Sequence, residues 1–269
     1  MINFDLSGQV AVITGGAGIL CSTLAKEMSK AGVKCAVIDV AQDKAKETAK
    51  EIRGAGGEAD GFYCDVLDRV SVEQCKNQVL ERFSRVDILI NGAGGNKAAA
   101  TTSADNTFFD MPEDAIRWVF DLNFMGTILP TQIFGKLFAR QDKGCIVNFS
   151  SMSALTPLTR TLAYSGAKAA LSNFTQWMAV HFNQEYSKNI RVNAIAPGFL
   201  HTQQNHYLLF DETGKQTIRG DQIIAGTPMG RYGKPEELAG AVIFLCSEAA
   251  SFINGAVLPI DGGFSAYTI

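Results

Sequence analysis

Short apolar runs alternate with longer stretches of helical periodicity along the whole chain. This rhythm is typical of repeated strand and helix units, which build a parallel sheet covered by helices on both faces. We therefore predict one α/β domain over residues 1–269, with a doubly wound, mostly parallel, seven-stranded sheet. The candidate strands are Val10–Thr14, Lys34–Asp39, Ala59–Tyr63, Ile88–Asn91, Cys145–Ser150, Ile190–Ala196 and Val257–Pro259. The candidate helices are Thr23–Ala31, Lys44–Arg53, Val70–Phe83, Ala115–Phe138, Tyr164–Tyr186 and Pro235–Leu245.

Two long stretches, 95–110 and 200–230, show neither the strand nor the helix pattern. Long irregular loops inside a compact domain are usually functional or disordered. Because open parallel sheets bind ligands at the carboxyl ends of their strands, we expect both loops to lie beside a substrate cleft at that edge.

Charge and composition exclude several classes of function. Twenty-four Lys and Arg against 27 Asp and Glu leave no positive field that would attract nucleic acid or anionic lipid. No apolar run approaches the roughly 18 residues of a membrane span, and the first residues lack a signal-peptide pattern. The six cysteines form no C-x-x-C pair and have no zinc-ligand spacing to the three histidines. We expect a cytoplasmic protein that binds no nucleic acid, membrane or metal.

A glycine-rich turn follows the first candidate strand, with the sequence Gly15-Gly16-Ala17-Gly18-Ile19-Leu20-Cys21. Glycines at this point allow a tight turn, and the free N–H groups of the following helix can bind a pyrophosphate. Cys21 stands where the last glycine of G-x-G-x-x-G would be. The turn alone is therefore also compatible with a loop that binds nothing.

Asp39 ends the second candidate strand, 21 residues after Gly18. A carboxylate at this position accepts hydrogen bonds from the adenosine ribose hydroxyls and repels a 2′-phosphate. Val40 follows, where an arginine would contact such a phosphate. The pattern favours NAD over NADP, although Asp39 could instead only cap a turn.

Tyr164 and Lys168 lie four residues apart on a candidate helix and so share one face. We expect the ammonium to lower the pKa of the phenol, which would then exchange protons near neutral pH. Ser151, at the end of the fifth candidate strand, could donate a hydrogen bond to a carbonyl oxygen. The tyrosine–lysine pair alone does not decide the function, and Ser151 could merely satisfy backbone groups.

Further short motifs follow one another in a fixed order along nearly the whole chain. They are Thr14-Gly15, Asp65, Asn91-Gly92-Ala93-Gly94, Asn123, Ser151, Tyr164, Lys168, Pro197-Gly198 and Asp261-Gly262-Gly263. This order resembles that of the short-chain dehydrogenase/reductase family. The resemblance implies a Rossmann fold, an NAD-dependent interconversion of a secondary alcohol and a ketone, and a homotetramer.

The resemblance also implies a role for each matching residue. Ser151 would orient the substrate carbonyl, Tyr164 would exchange the proton, and Lys168 would bind the nicotinamide ribose. Asn123 would hold a water in the proton relay. The residues expected to contact the cofactor are Gly15, Gly16, Gly18, Ile19, Asp39, Asp65, Val66, Asn91, Ala93, Gly94, Tyr164, Lys168, Pro197, Gly198, Leu200 and Thr202. The sequence departs from the family pattern at Ile19, Cys21 and Gly92.

Longer segments, such as Phe120–Phe124 and Asn193–Phe199, resemble a narrower group of sugar-acid oxidoreductases that act on D-mannonate or D-fructuronate. A hexuronate is anionic and rich in hydroxyls, so its site should hold a cation and several polar side chains. The candidates are Asn96, Lys97, Ser153, Arg160 and His201. Arg160 is favoured for the substrate carboxylate, but both cations could equally be solvated loop residues.

Other functions share most of these motifs. Within enzymes they are a gluconate 5-dehydrogenase, a polyol dehydrogenase and a 3-oxoacyl thioester reductase. The thioester reductase would be expected to use NADP, against which Asp39 argues. A nucleotide sensor without catalysis would be expected to lack Ser151, Tyr164 or Lys168, and all three are present. Bulky residues such as Trp177 exceed what one buried helix face needs, which favours a homo-oligomer, though about half of them could be core.

Overall fold

A single sheet of seven parallel strands forms the centre of the computed structural model, which describes residues 3–268 apart from the side chain of residue 204. The strands are β1 (Val10–Thr14), β2 (Lys34–Asp39), β3 (Ala59–Tyr63), β4 (Ile88–Asn91), β5 (Gly144–Phe149), β6 (Ile190–Pro197) and β7 (Val257–Ile260). Their order across the sheet is β3-β2-β1-β4-β5-β6-β7. The order reverses between β1 and β4, and a ligand cleft is expected at such a switch point. The predicted α/β fold is confirmed.

Helices cover both faces of this sheet. They are α1 (Ile19–Lys30), α2 (Gln42–Gly54), α3 (Arg69–Phe83), α4 (Glu113–Asn123), α5 (Met125–Gln141), α6 (Leu162–Glu185), α7 (His206–Leu209), α8 (Ile218–Ala225) and α9 (Ala239–Cys246). Alternate side chains of a strand point to opposite faces, and β1 shows this directly. Ala11 and Ile13 pack into the core beneath α1, α2 and α9, whereas Val10 and Val12 pack into the core beneath α3, α5 and α6.

The prediction of one continuous helix over Ala115–Phe138 is wrong, because α4 ends at Asn123 and α5 begins at Met125. Phe124 between them adopts φ −107° and ψ −60°, outside ordinary helical geometry. The Asn123 side-chain amide donates to Val119 O (2.7 Å) and to Gly95 O (2.6 Å). A short polar side chain that bonds to backbone groups in this way competes with helix continuation. The break leaves the buried Asn123 in the lining of the cleft.

Smaller differences concern the ends of other elements. β5 ends at Phe149, one residue earlier than predicted, and Pro235–Leu238 is a 3₁₀ turn that precedes α9. The stretch 200–230 contains the short helices α7 and α8. Throughout residues 3–268, no helix is both long and apolar enough to span a membrane. All six cysteines lie buried as free thiols.

Candidate active site

A cavity of about 460 Å³ opens at the carboxyl ends of the central strands. It brings together the four predicted catalytic side chains, Asn123, Ser151, Tyr164 and Lys168. Nine further residues predicted to contact a cofactor also line it: Gly15, Gly18, Ile19, Asp39, Gly94, Pro197, Gly198, Leu200 and Thr202. These thirteen lining residues were therefore predicted from the sequence.

The glycine turn after β1 fits a dinucleotide because it leaves no room for side chains. Gly15 has a φ of +63°, and a Cβ there would lie 2.8 Å from Ala93 Cα. At Gly16 a Cβ would lie 2.6 Å from the Val37 side chain, so this glycine packs inward and does not line the cavity. Helix α1 starts after Gly18 without a side-chain cap, which leaves its first N–H groups to a ligand such as a diphosphate.

Asp39 lies at the edge of the cavity that β2 provides. Its Oδ2 accepts a hydrogen bond from Ala17 N (3.1 Å) and its Oδ1 accepts one from Ala41 N (2.9 Å). Both bonds fix the carboxylate beside the glycine turn, where ribose hydroxyls can still reach its lone pairs. Val40 is 59% exposed and offers no cation for a phosphate.

Four predicted cofactor contacts lie beside the cavity rather than in its lining. Asp65 and Val66 follow Cys64, whose N–H donates to Asp39 O (3.0 Å). The Ala93 N–H donates to Thr14 Oγ1 (3.1 Å), which ties this segment to the glycine turn. The side chain of Asn91 is buried and bonded to other core residues, so it makes no part of the cavity wall.

Two departures from the family pattern compensate for one another. A Cβ at Gly92 would lie 2.2 Å from Cys21 Sγ, so the thiol occupies the space that a larger residue at position 92 would need. Burial raises the pKa of the Cys21 thiol to about 12, and the thiol therefore lines the cavity in its neutral form. The pairing of Cys21 with Gly92 accounts for both departures.

Lys168 is 4% exposed and its Nζ donates to Phe149 O (2.7 Å). Burial lowers the pKa of this amine to about 8, because the interior disfavours the charged form. The position of Lys168 one helical turn after Tyr164 keeps both groups on the cavity side of α6.

The prediction that Lys168 lowers the pKa of Tyr164 is wrong. Burial raises the pKa of Tyr164, and only the hydrogen bond with the Ser151 side chain acts in the opposite direction. The ammonium lies 5.6 Å from the centre of the Tyr164 ring and is bonded to the Phe149 carbonyl instead. Desolvation of the phenolate is therefore the dominant effect on the pKa of Tyr164.

The five predicted substrate contacts do not line the cavity. The Lys97 ammonium lies 3.8 Å from the centre of the Trp118 ring. Arg160 is exposed with a φ of +73°, and its carbonyl accepts a hydrogen bond from Thr102 N (3.0 Å). His201 Nε2 lies 3.0 Å from His206 Nδ1. Asn96 is exposed and donates to Thr101 Oγ1, and Ser153 is buried with a hydroxyl that has no partner among residues 3–268.

Asn205, a polar residue of the loop expected to rim the pocket but not one of the five favoured substrate contacts, lines the cavity. Its side chain accepts a hydrogen bond from Thr202 N (2.8 Å) and donates one to Leu200 O (2.8 Å). Thr202 Oγ1 in turn accepts a hydrogen bond from Asn205 N, which completes a capping box. A Thr followed three residues later by Asn is a polar cap signature, so the sequence did carry a signal for this residue.

Proteins of known sequence and structure resemble this chain over nearly its whole length. A family model described as enoyl-(acyl carrier protein) reductase matches residues 17–265. An uncharacterized oxidoreductase of Bacillus subtilis, UxuB, is 48% identical over 98% of this chain and 97% of its own length. The chain belongs to the short-chain dehydrogenase/reductase family. It is therefore an NAD(P)-dependent oxidoreductase.

Solved structures of this family share the whole fold and differ in the nucleotide they hold. One from Haemophilus influenzae, provisionally named a D-mannonate oxidoreductase, contains NAD. It is 47% identical with a TM-score of 0.93, covering 98% of this chain and 97% of that one. A gluconate 5-dehydrogenase from Burkholderia cenocepacia contains NADP and tartrate. It is 28% identical with a TM-score of 0.88, covering 99% of each chain.

In this short-chain dehydrogenase/reductase, the buried Lys168 amine makes stability depend on pH. Its pKa is about 8 in the folded protein and near 10.5 in the unfolded chain, so the unfolded chain binds more protons between these values. The free energy of unfolding should therefore rise with pH across that window. Relative to Lys168→Met, the wild type is expected to gain about 3 kcal/mol between pH 7 and pH 10.5.

Urea denaturation of both proteins at the two pH values measures this difference. Titrations of groups that do not interact with Lys168 are common to both proteins and cancel, and the Cys21 thiol, whose pKa the ammonium lowers, is the exception. An equal change in unfolding free energy for the wild type and for Lys168→Met would show that the amine is not desolvated as described.

Proposed function

We propose that the protein uses NAD to interconvert a secondary alcohol and a ketone on a sugar acid, with D-mannonate and D-fructuronate as the substrate pair. The observation that carries this proposal is the placement of two sets of groups in one cavity. Ser151, Tyr164 and Lys168 lie on the side of β5 and α6, and Asp39 lies beside the glycine turn. The cavity thus offers proton-transfer groups and a ribose-binding carboxylate together.

Each side chain has a separate task in this proposal. When bound, the nicotinamide ring supplies or accepts the hydride. Ser151 donates a hydrogen bond to the substrate oxygen, and Tyr164 gives or takes the hydroxyl proton. Lys168 holds the nicotinamide ribose and takes part in the proton relay with Tyr164. The Asn123 side chain is engaged by Gly95 and Val119, so we assign the relay water to its main-chain carbonyl.

The preference for NAD is supported by Asp39 and Val40. The fixed carboxylate of Asp39 would repel a 2′-phosphate, and the neighbouring position carries no cation. The NAD in the Haemophilus influenzae relative is consistent with the same preference.

The sugar-acid substrate is supported by the name of that relative and by the two loops beside the cavity. Loop 95–110 and the segment that contains Arg160 are joined by the bond from Thr102 N to Arg160 O. We propose that Arg160, which lies outside the cavity lining but only four residues before Tyr164, binds the substrate carboxylate, since Lys97 is already engaged by Trp118. Asn205 supplies a polar group for the substrate hydroxyls.

A screen at 340 nm tests this proposal, with NAD and NADP each offered with mannonate, fructuronate, gluconate, D-threitol and acetoacetyl thioesters. We expect the highest kcat/KM with NAD and the mannonate–fructuronate pair. Arg160→Ala should raise the KM for sugar acids and leave that for polyols unchanged, whereas Lys97→Ala serves as the matched loop control. A preference for NADP and thioesters would instead indicate a thioester reductase. Nucleotide binding without turnover of any substrate would indicate a sensor.

We also propose that the protein is a homotetramer in which a second copy covers α6. Trp177 on this helix and Tyr186 directly after its end are 57% and 58% exposed, and they border an apolar groove between α5 and α6. Exposed apolar area of this kind is usually covered by another subunit. Light scattering should give the mass of a tetramer for the wild type and a smaller mass for Trp177→Asp. A monomeric wild type at micromolar concentration would contradict the proposal.

A further inference from the structure

Four polar side chains lie buried beneath the cavity, between β4, β5, α5 and α6. Asn91 and Asn148 are neighbours across β4 and β5, and Asn91 Nδ2 donates to Asn148 Oδ1 (2.8 Å). Asn148 Nδ2 donates to Thr175 Oγ1 on α6 (2.9 Å). Asn91 Nδ2 also donates to Thr131 Oγ1 on α5 (3.0 Å). We call these four residues the Asn–Thr network.

The surroundings of the Asn–Thr network make its polarity unexpected. None of its members is more than 1% exposed, and the neighbouring core consists of apolar side chains such as Phe134 and Ile146. Burial of amides and hydroxyls is unfavourable unless each finds a partner, so apolar residues would be the simpler way to fill this space. The proposed proton transfer does not use these four side chains directly. Their presence at this buried position points to a role in holding neighbouring groups.

Three consecutive residues of the β5 end fasten α6 to the sheet around Lys168. Asn148 Nδ2 donates a hydrogen bond to Thr175 Oγ1, and the Phe149 carbonyl accepts one from the Lys168 ammonium. Ser150 Oγ donates to Lys168 O (3.3 Å). Asn148 and Ser150 point to the same face because side chains alternate along a strand, while the Phe149 ring packs into the opposite core. The Phe149 carbonyl is thus held between two polar attachments to the same helix.

Thr175 follows Lys168 by seven residues, which is two helical turns, so both lie on the same side of α6. One attachment alone would let the helix slide or rotate against β5. Attachments at Lys168 and at Thr175, two turns apart, fix both the position of the helix along its axis and its rotation about that axis relative to β5. The position of the Lys168 amine relative to the Phe149 carbonyl depends on both.

We propose that Thr175, acting through Asn148, is a positioning residue that holds Lys168 in the active site. This inference rests on the catalytic role proposed for Lys168. Loss of the Thr175 hydroxyl leaves Asn148 Nδ2 without its acceptor and removes the outer attachment of β5 to α6, so that only the bonds of Ser150 and of the Phe149 carbonyl remain. The ammonium then occupies several positions, and water reaches it more often. Proton exchange slows, and the pKa of Lys168 moves back toward its ordinary value.

The test compares Thr175→Val, which keeps the shape of the side chain, with Thr175→Ser, which keeps the hydroxyl. We expect kcat to fall by about tenfold in the valine variant, as one disturbed group in a proton relay would cause. The pH at which kcat changes on the alkaline side should move upward, and the serine variant should restore both values. Asn193→Ala is the matched control, since Asn193 is equally buried on β6 but bonds to Ile253 and Ala256. It should lower the melting temperature without moving the pH profile.

A second readout separates this inference from the proposed function. In protein labelled with ¹³C-lysine, the Lys168 signal is assigned by its loss in Lys168→Met and then titrated. We expect a higher titration midpoint in Thr175→Val than in the wild type, whether or not the correct substrate is known. An unchanged midpoint together with an unchanged pH profile would overturn the positioning role, and so would an equal shift in Asn193→Ala. Absence of turnover in the wild type would count against the proposed function alone.

Discussion

Tyr164→Phe is expected to reduce kcat by about 10³-fold, because it removes the hydroxyl that exchanges the substrate proton. The ring keeps its packing against the small cluster of Ala115, Val119 and Ala163, so the fold should be unaffected. Affinity for the dinucleotide should change little, since the remaining groups of the cavity are intact. Steady-state rates at 340 nm and calorimetric titration with NAD measure the two effects separately.

The pH dependence of the wild type extends this prediction. Burial raises the pKa of Tyr164, so the phenolate that accepts a proton from an alcohol becomes more populated as the pH rises. Alcohol oxidation by the wild type should therefore accelerate on the alkaline side of neutrality. Tyr186→Phe, which changes an exposed tyrosine beyond the end of the same helix, is the control and should behave as the wild type. Retention of normal turnover by Tyr164→Phe would remove the proposed mechanism.

The strands could be predicted closely because a parallel sheet covered on both faces consists of nearly continuous apolar runs. The bounds of β1, β2, β3 and β4 match the prediction residue for residue. β5 lies one residue earlier than predicted at each end, from Gly144 to Phe149, although the Ser150 N–H still donates to Ile195 O of β6. Local sequence therefore specifies the strands almost completely.

Helix ends were less predictable because they depend on single contacts. Gly18 precedes α1 without a polar cap, so no residue in the sequence marks its start. The break at Phe124 could not be predicted from the apolar pattern, because α4 and α5 both bury apolar residues, such as Val119 and Ile133, and the pattern continues across the break. The contact between Asn123 and Gly95, 28 residues away, helps to fix the end of α4, and no short sequence pattern reports it.

The dinucleotide side of the site was predictable and the substrate side was not. The glycine turn and Asp39 act through backbone shape and one carboxylate, which short motifs reveal. The directions of Lys97, Arg160 and His201 depend instead on how two long loops fold against distant elements. The pKa of Tyr164 likewise follows from burial, which no short motif reports.

The cofactor preference should reverse when the carboxylate of Asp39 is replaced and a cation is introduced beside it. Asp39→Ala removes the charge that repels a 2′-phosphate and also the acceptor of the ribose hydroxyls. Hydrogen bonds to a charged group contribute about 1.5–3 kcal/mol, so kcat/KM with NAD is expected to fall about 10- to 100-fold. The variant should also lose the bonds from Ala17 N and Ala41 N, which gives it a modestly lower melting temperature.

Addition of Val40→Arg should then complete the reversal. Val40 is exposed, so an arginine can replace it without disturbing the core, and a guanidinium binds a phosphate through two parallel hydrogen bonds. The double variant is expected to prefer NADP, whereas Val40→Arg alone should gain little because its guanidinium would pair with Asp39. The ratio of kcat/KM for the two nucleotides measures the switch in all three variants. A ratio that stays at the wild-type value in the double variant would mean that Asp39 serves only to cap the turn.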